Sequence, residues 1–431
     1  MMSQVEVMNG FAIKEWQFVN SANQRDSLRD GLGPDVPIYG PEASTNMEKP
    51  DFSQMDAFVE FKEKESADPF EDPKRVDGKS GGSKRPSFER NSIEAKLIRG
   101  QLGSYVAAIS GSQFRLRVFA VLVFGSFARL MCWDRVGAVV TERFNYTKEP
   151  YLAQFFSEYC SLTPDKRGFD PTVRPLTTKE RKTVNNLGCL NDLESRNPHH
   201  REFRMMMIPD RDDTSEHPFL ISYPPRYTYR SPFGRATRPM RAYDMKKKKI
   251  VFVKDYWRPD AKDIDKEGDI YRSLEEAEVP YIAPFGIGND VRDFKTRVQE
   301  FRFYAWACDT DEFSGLILYR MSLEKLGDDL VGFRSTEELV RVIGHAMTGT
   351  YLILPQCRIR IFIADTQLTT LPTSKLKYCI VISVSETSSL TKMGMASSST
   401  GTSALKLAMT RHLRGDHNER FVFHHPSCYI P

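Results

Sequence analysis

The sequence predicts two mixed folds in series, an α/β unit over residues 45–195 and an α+β unit over 229–348, followed by a tail, 349–431, that is not a recognisable domain. Three observations carry this prediction. Apolar and polar side chains alternate along Met55–Lys62 (MDAFVEFK), the period of a half-buried strand, and a helical spacing of apolar residues begins after Asn91. Two strand-like runs flank a basic turn at 246–249 and lead into a short amphipathic helix. Past Met347 the chain becomes rich in Ser and Thr and loses any sustained period. At 431 residues there is enough chain for two or three domains, each with its own core.

Taken in order, residues 1–44 mix polar residues with isolated aromatics (Trp16, Phe18) and are expected to be poorly ordered. The strand at 55–62 is followed by 63–90, whose charge, Pro, Gly and Ser leave little to bury, so a mobile loop is expected there. Asn91 and Ser92 suit a helix cap, and Ile93, Leu97, Leu102, Tyr105 and Ile109 fall on roughly one face of the helix that follows. The runs FRLRVFAVLVFGSFARLMCWD and GAVVTERFN read as sheet, divided by the tight connection DRVG. A helix is expected from Pro150 to Cys160, and a Pro- and Tyr-rich linker over 196–228.

In the second unit FGRATRPMRAYDM and KIVFVKDYW read as strands and DKEGDIYRSLEEA as a helix. RFYAWAC and GLILYRM suit further strands, and STEELVRVIGHAM a helix capped by Ser335. TYLILPQCRIRIFIADTQL is strand-like.

Composition narrows the function classes. A net charge of +4 is too small to imply nucleic-acid binding, and 40% hydrophobic with 27% charged residues is ordinary for a globular protein. Seven scattered cysteines without a CxxC pattern suit reduced thiols, and no apolar run approaches the length of a bilayer span. An intracellular protein, cytoplasmic or nuclear, is expected, with a protein as partner or substrate and no membrane. The four lysines at 246–249 resemble a polyanion site, but a solvated hairpin tip is the simpler reading of an isolated run of like charge.

One ordered set of residues carries chemistry. Phosphate handling in a kinase uses a glycine-bearing hairpin over the nucleotide, a lysine on the following strand and a helical glutamate that holds that lysine. Gly234 in FGRATRP, Lys254 in VFVKDYW and Glu267 in KEGDIYRSL occur in that order. Alone, a lysine near the end of an apolar strand or a glutamate on a helix usually just reaches solvent. Only one of the three expected glycines is present, with Ala236 and Pro239 in the later part of the loop.

The blocks RSPFGRATRP, IVFVKDYWR, KEGDIYRSLEEAEVP and GFRSTEELV together resemble the fungal-type protein kinase family. EAKLIRGQLGSYVAAISGSQFRLRVF, ARLMCWDRVGAVVTERFNY and EPYLAQFFSEYCSLTPDKRGFDPTV resemble the region that precedes the kinase domain in that family, so the likeness spans about 45–348. It implies the N-lobe of a protein-kinase-like fold and the start of the C-lobe over 229–348, with ATP and Mg2+ as cofactors. Lys254 would then anchor phosphate, Glu267 would be its helical partner, and GLILYRM (315–321) would lie near the adenine-contacting hinge.

The pattern then breaks. Neither the catalytic loop HRDxxxxN nor a DFG-like Asp occurs in the chain. His345 is followed by Ala on a helix, and His424 and His425 have no further ligand at metal spacing. Codon degeneracy accounts for the break: one permissible set of codons for LKYCIVISVSETSSLTKMGMASSSTGTSA, read in the shifted frame, spells EVLHRDISVGNIIIDEDGDGILIDWDLC. That contains the catalytic-loop spacing and an IDWD in place of DFG. Codons for Gly349 to Gln367 also accommodate splice-site signals, so the tail reads as intron-derived and out of frame. The chain as translated is expected to be a truncated, inactive pseudokinase that keeps weak ATP or partner binding. The alternative is an active serine/threonine-type kinase in the correctly spliced form.

A further class comes from the first unit. Pro50-Asp51 followed by Glu60-x-Lys62 resembles the acidic metal site of restriction-endonuclease-like folds, with Asp51 and Glu60 as metal candidates, Lys62 assisting water, and Gln101 and Tyr105 on the next helix. An inactive scaffold is the favoured reading, with a metal-dependent nuclease the alternative. Trp133 and Asp134 read as hairpin core rather than partner surface.

Overall fold

In the first sheet, β3 (Met55–Lys62) and β4 (Val118–Phe124) run parallel, joined by the crossover helix α1 (Ile93–Ser112). A computed structural model describes residues 15–21, 24, 31–43, 49–72, 88–188, 190–194, 202–211, 215–226, 231–304, 307, 315–327 and 332–353, with short strand segments at 361–362, 383–384 and 421–424. The central position of β3 explains why its alternation does not leave one face wet. Met55 and Phe58 pack on Ile98, Leu102 and Tyr105 of α1, while Ala57 and Val59 pack on Phe156 and Tyr159 of α2 (Tyr151–Ser161), so both faces are covered. β4 turns through Gly125, at φ 56°, into β5 (Phe127–Trp133), which pairs with β6 (Ala138–Thr141) and β7 (Phe144–Asn145).

Three expectations for this unit are corrected. Residues 1–44 are not uniformly unstructured: β1 (Gln17–Phe18) and β2 (Val36–Tyr39) extend the sheet, and Trp16, Phe18, Val36 and Ile38 are buried because they cover its second face; residues 1–14 lie outside the described residues. The ends of the expected loop 63–90 are packed. Asp68 and Asp72 hold the buried Arg129 at 2.7 and 2.6 Å, and the Phe70 ring stacks on Phe88, so charge pairing supplies what the apolar count lacked; 73–87 lie outside the described residues. On α1, Ile93 and Leu97 are exposed, and the buried stripe is Ile98, Leu102, Tyr105, Val106 and Ile109. That stripe keeps the i, i+4, i+7 spacing but lies about one residue further round the helix. The Ser92 cap forms, its Oγ accepting the Ala95 N–H at 3.1 Å.

The second sheet is antiparallel throughout, in the order β13-β14-β12-β11-β10-β9-β8. Its strands are β8 (Val173–Pro175), β9 (Glu202–Pro209), β10 (Glu216–Tyr223), β11 (Arg238–Asp244), β12 (Lys249–Pro259), β13 (Phe285–Lys295) and β14 (Leu316–Leu323). Part of the expected linker 196–228 is therefore sheet, since β9 and β10 fall inside it. Their methionines, His217 and Pro218 dilute the β-branched signal that marks a strand. Arg302 and Phe303, the first residues of RFYAWAC, do not form the expected strand. The turn Val298–Phe303 is a 3-10 helix, because the Asp134 carboxylate accepts the Arg297 and Val298 N–H groups at 2.7 and 3.0 Å and so fixes its start; Ala305, Trp306 and Cys308 lie outside the described residues.

Between β8 and β9 lie α3 (Thr178–Val184) and α4 (Leu190–Glu194); α3 carries a full capping box, Thr177 Oγ1 accepting Glu180 N–H and Glu180 accepting Thr177 N–H. Arg174 donates two bonds of 2.8 Å to Glu180 and, with the Thr177 donors, holds its carboxyl down at about 2. A carboxyl so depressed stabilises the fold above its unfolded range near 4.5, and this is lost as pH falls towards 2. A carbon-detected NMR titration should find the Glu180 midpoint near 2 in the wild type and above 3.5, roughly, in Arg174→Ala.

Both sheets belong to one compact unit, Met1–Glu275 with Ala283–Gly327 and Arg420–Pro431. The second unit, Glu276–Ile282 with Asp328–Glu419, holds α6 (Thr336–Ile353), whose start is capped by Ser335 Oγ accepting Glu338 N–H at 3.1 Å. His345 is a helix residue there, its ring stacked on Tyr281 at 3.9 Å. Val340, Ile343 and Met347 form an exposed apolar stripe. Helix α6 runs through Ile353, so the first residues of the strand-like TYLIL are helical; the rest of the expected tail lies outside the described residues apart from the short segments named above, and His425 with it. No described helix is long and apolar enough to cross a membrane.

Candidate functional site

The site is built where the first turn of α5 (Glu267–Glu276) meets Lys254 of β12. β12 lies between β11 and β14, opposing Lys254 to Pro239 on one side and to Met321 on the other. An ammonium placed this deep needs a partner, because burial penalises its charge. Glu267, in the first turn of α5, supplies it: Lys254 Nζ donates to both carboxylate oxygens, at 2.8 and 2.7 Å. Both side chains are about 95% buried. Burial pulls the Lys254 ammonium below its ordinary range, and the Glu267 charge and hydrogen bonds work against that pull.

Several contacts fix Glu267 there. Gly268 lets the helix approach the sheet, since a Cβ at this position would sit 2.5 Å from the Tyr319 hydroxyl and 2.8 Å from Phe285; its N–H donates to that hydroxyl at 2.9 Å. Lys266 reaches Asn289 at 2.7 Å and Asp290 at 2.9 Å, and Arg258 grips Asp290 with two bonds of 2.7 Å. The Tyr256 phenol, hydrogen-bonded to Glu267, is pushed well up by burial and by the neighbouring carboxylate. Its ring centre lies 4.7 Å from Lys254 Nζ.

Gly234 stands on the β10–β11 connection at φ 86°, a conformation that side chains resist, and open space surrounds the position of its missing Cβ. Its N–H donates to the Arg135 carbonyl at 2.8 Å. The donor set suits a phosphate: a buried, oriented ammonium beside a backbone turn that a ligand can approach. For magnesium the fit is different. Among the described residues, no three His, Cys, Asp or Glu side chains gather as a metal-binding group.

The acidic residues of the first sheet do not assemble as the sequence pattern suggested. Asp51 is held within its own turn, accepting from Ser53 and Gln54. Glu60 is buried and faces Asp35 instead, with Glu60 Oε2 accepting the Asp35 N–H at 3.3 Å. Lys62 donates to Glu60 at 2.7 Å and to Gln101 at 2.9 Å, and Gln101 donates to the Tyr105 hydroxyl at 2.7 Å. Burial and the Asp35 charge push the Glu60 carboxyl up, with Lys62 opposing them. Pro34-Asp35 is the same dipeptide as Pro50-Asp51, so the sequence held both; pairing β2 against β3 selects the first. Trp133 and Asp134 are internal, and the lysine turn is a hairpin tip in which Lys247 and Lys249 pair with Glu324.

Sequence reasoning missed Tyr256, Gly268 and Tyr319. The signal available was the glycine directly after Glu267, a poor helix residue that close packing requires. No curated protein and no solved structure matches the chain. The family model described as Fungal protein kinase matches residues 87–359, more than half of the 431, and the chain belongs to that family.

Proposed function

We propose that this chain binds ATP through Lys254, Glu267 and the Gly234 turn and does not transfer its phosphate. The observation that carries the reading is the buried Lys254–Glu267 pair, with both hydrogen bonds under 3 Å. Lys254 lies on β12 and Glu267 begins the helix that follows it, and this strand-then-helix order of lysine and glutamate supports a kinase N-lobe reading. In that frame Lys254 would hold the α- and β-phosphates, Glu267 would orient its ammonium, and the segment after β14 would serve as the hinge. Transfer needs a positioned base and metal ligands as well, and the sequence carries neither HRD nor DFG. A spliced product restoring HRDISVGN is the form we assign as the active serine/threonine-type kinase.

The first sheet is read as a scaffold, because Lys62 already neutralises Glu60 and Asp51 is held in its own turn. The purified chain is expected to bind ATP in calorimetric titration, to transfer no radiolabelled phosphate, and to leave DNA uncut in magnesium. Phosphate transfer that disappears in Lys254→Ala would overturn the inactive reading, and DNA cleavage lost in Glu60→Gln would overturn the scaffold.

A further inference from the structure

Beside Lys254 stands a second cation. Arg235 directly follows Gly234, and its stretch of chain is fastened from two sides. Its carbonyl accepts the Trp257 N–H of β12 at 2.8 Å, and Gly234 N–H donates to the Arg135 carbonyl at 2.8 Å. Arg135 Nη1 in turn donates to the Pro232 carbonyl at 3.1 Å, and the Trp133 ring stacks on Phe233 at 5.9 Å. Held in this way, the Arg235 guanidinium lies over the Tyr256 ring, 5.0 Å from its centre. Lys254 Nζ lies 4.7 Å from the same ring centre. The buried Nε of Arg235 has no hydrogen-bond partner, and among the described residues no carboxylate pairs with this guanidinium. Glu267 offsets the charge of Lys254, so the charge of Arg235 is left over at the site.

We propose that Arg235 is a second phosphate-binding side chain, for a nucleoside di- or triphosphate. It would supplement the backbone amides that a glycine-rich turn normally supplies, of which this loop offers fewer: the Gly234 N–H is already given to the Arg135 carbonyl, and Pro239 has no N–H to offer. A planar guanidinium suits the task because its parallel N–H groups match two phosphate oxygens. The turn at Trp133–Arg135 then acts on the site by keeping that guanidinium over Tyr256.

The proposal rests on the ATP-binding reading, and the experiment separates the two. ATP and adenosine are titrated into the wild type, Arg235→Ala, Arg235→Lys and Lys254→Met, with thermal midpoints recorded for each. Arg235→Ala is expected to weaken ATP by about ten- to a hundredfold while leaving adenosine affinity and the midpoint unchanged. Arg235→Lys should recover part of the loss. ATP affinity unchanged in Arg235→Ala but lost in Lys254→Met overturns the role of Arg235 and leaves the nucleotide site standing. Equal losses for ATP and adenosine overturn the phosphate assignment. A wild type without ATP affinity overturns both readings.

Discussion

Arg320→Ala is expected to lower the unfolding free energy by about 3–5 kcal/mol, a large part of the 5–15 kcal/mol that roughly measures a domain's total stability. The side chain is fully buried on β14 and faces two carboxylates. Its Nε donates to Asp255 at 2.7 Å, Nη2 donates to Asp170, and Nη1 donates to the Thr172 hydroxyl at 2.5 Å. Alanine would leave Asp170 buried without its ion-pair partner and Asp255 with only Arg238, 3.9 Å away, and the protein would have to protonate an acid or open to water. Arg320→Lys keeps the charge but loses the fork, so it should fall between the two. Urea unfolding followed by tryptophan fluorescence reads this directly, and a loss under about 1 kcal/mol for Arg320→Ala would show that the network contributes little.

Lys254→Met should have the second-largest effect, again about 3–5 kcal/mol, because Glu267 stays buried without its cation. The informative variant is the pair Lys254→Met/Glu267→Leu. Replacing both charges by apolar groups removes the desolvation cost together with the attraction, and such exchanges are often neutral or stabilising. The double variant should therefore regain most of the lost stability while binding no ATP. Recovery of stability without recovery of binding would mean that the pair is kept for its ligand. A double variant as unstable as Lys254→Met would instead make the pair a structural device.

Much of this architecture was legible in the chain. The β11–β12 hairpin, α5 and β14 follow from apolar runs bounded by Asp244, the lysine tip and the helix after Lys266, because local period and turn chemistry decide them. Strands β9 and β10 were hidden because Met205–Met207 and His217-Pro218 form strands only when β8 and β11 lie beside them. Ile93 and Leu97 were misassigned for a related reason: a helix with apolar residues on several sides takes its buried face from the sheet it meets. At the candidate site, residue order singled out Lys254 and Glu267, which the fold brings into contact. Tyr256, Tyr319, Asp35 and Arg235 depend on strand register and on a loop path, neither of which a residue pattern encodes.

The short strand Val173–Pro175 bears on how this sequence can be inherited. It precedes 196–228, the segment where a gene would most easily be cut between two modules, yet it pairs with β9 and closes the edge of the second sheet. Asp170, three residues before it, holds the buried Arg320 on β14 of that sheet. A recombination breakpoint in 196–228 would carry off an edge strand and a buried counter-ion, and leave the downstream half with an open edge and an unpaired arginine. The second sheet, together with Asp170 ahead of it, therefore has to descend as one block, and exchange of segments among relatives should leave residues 170–323 together.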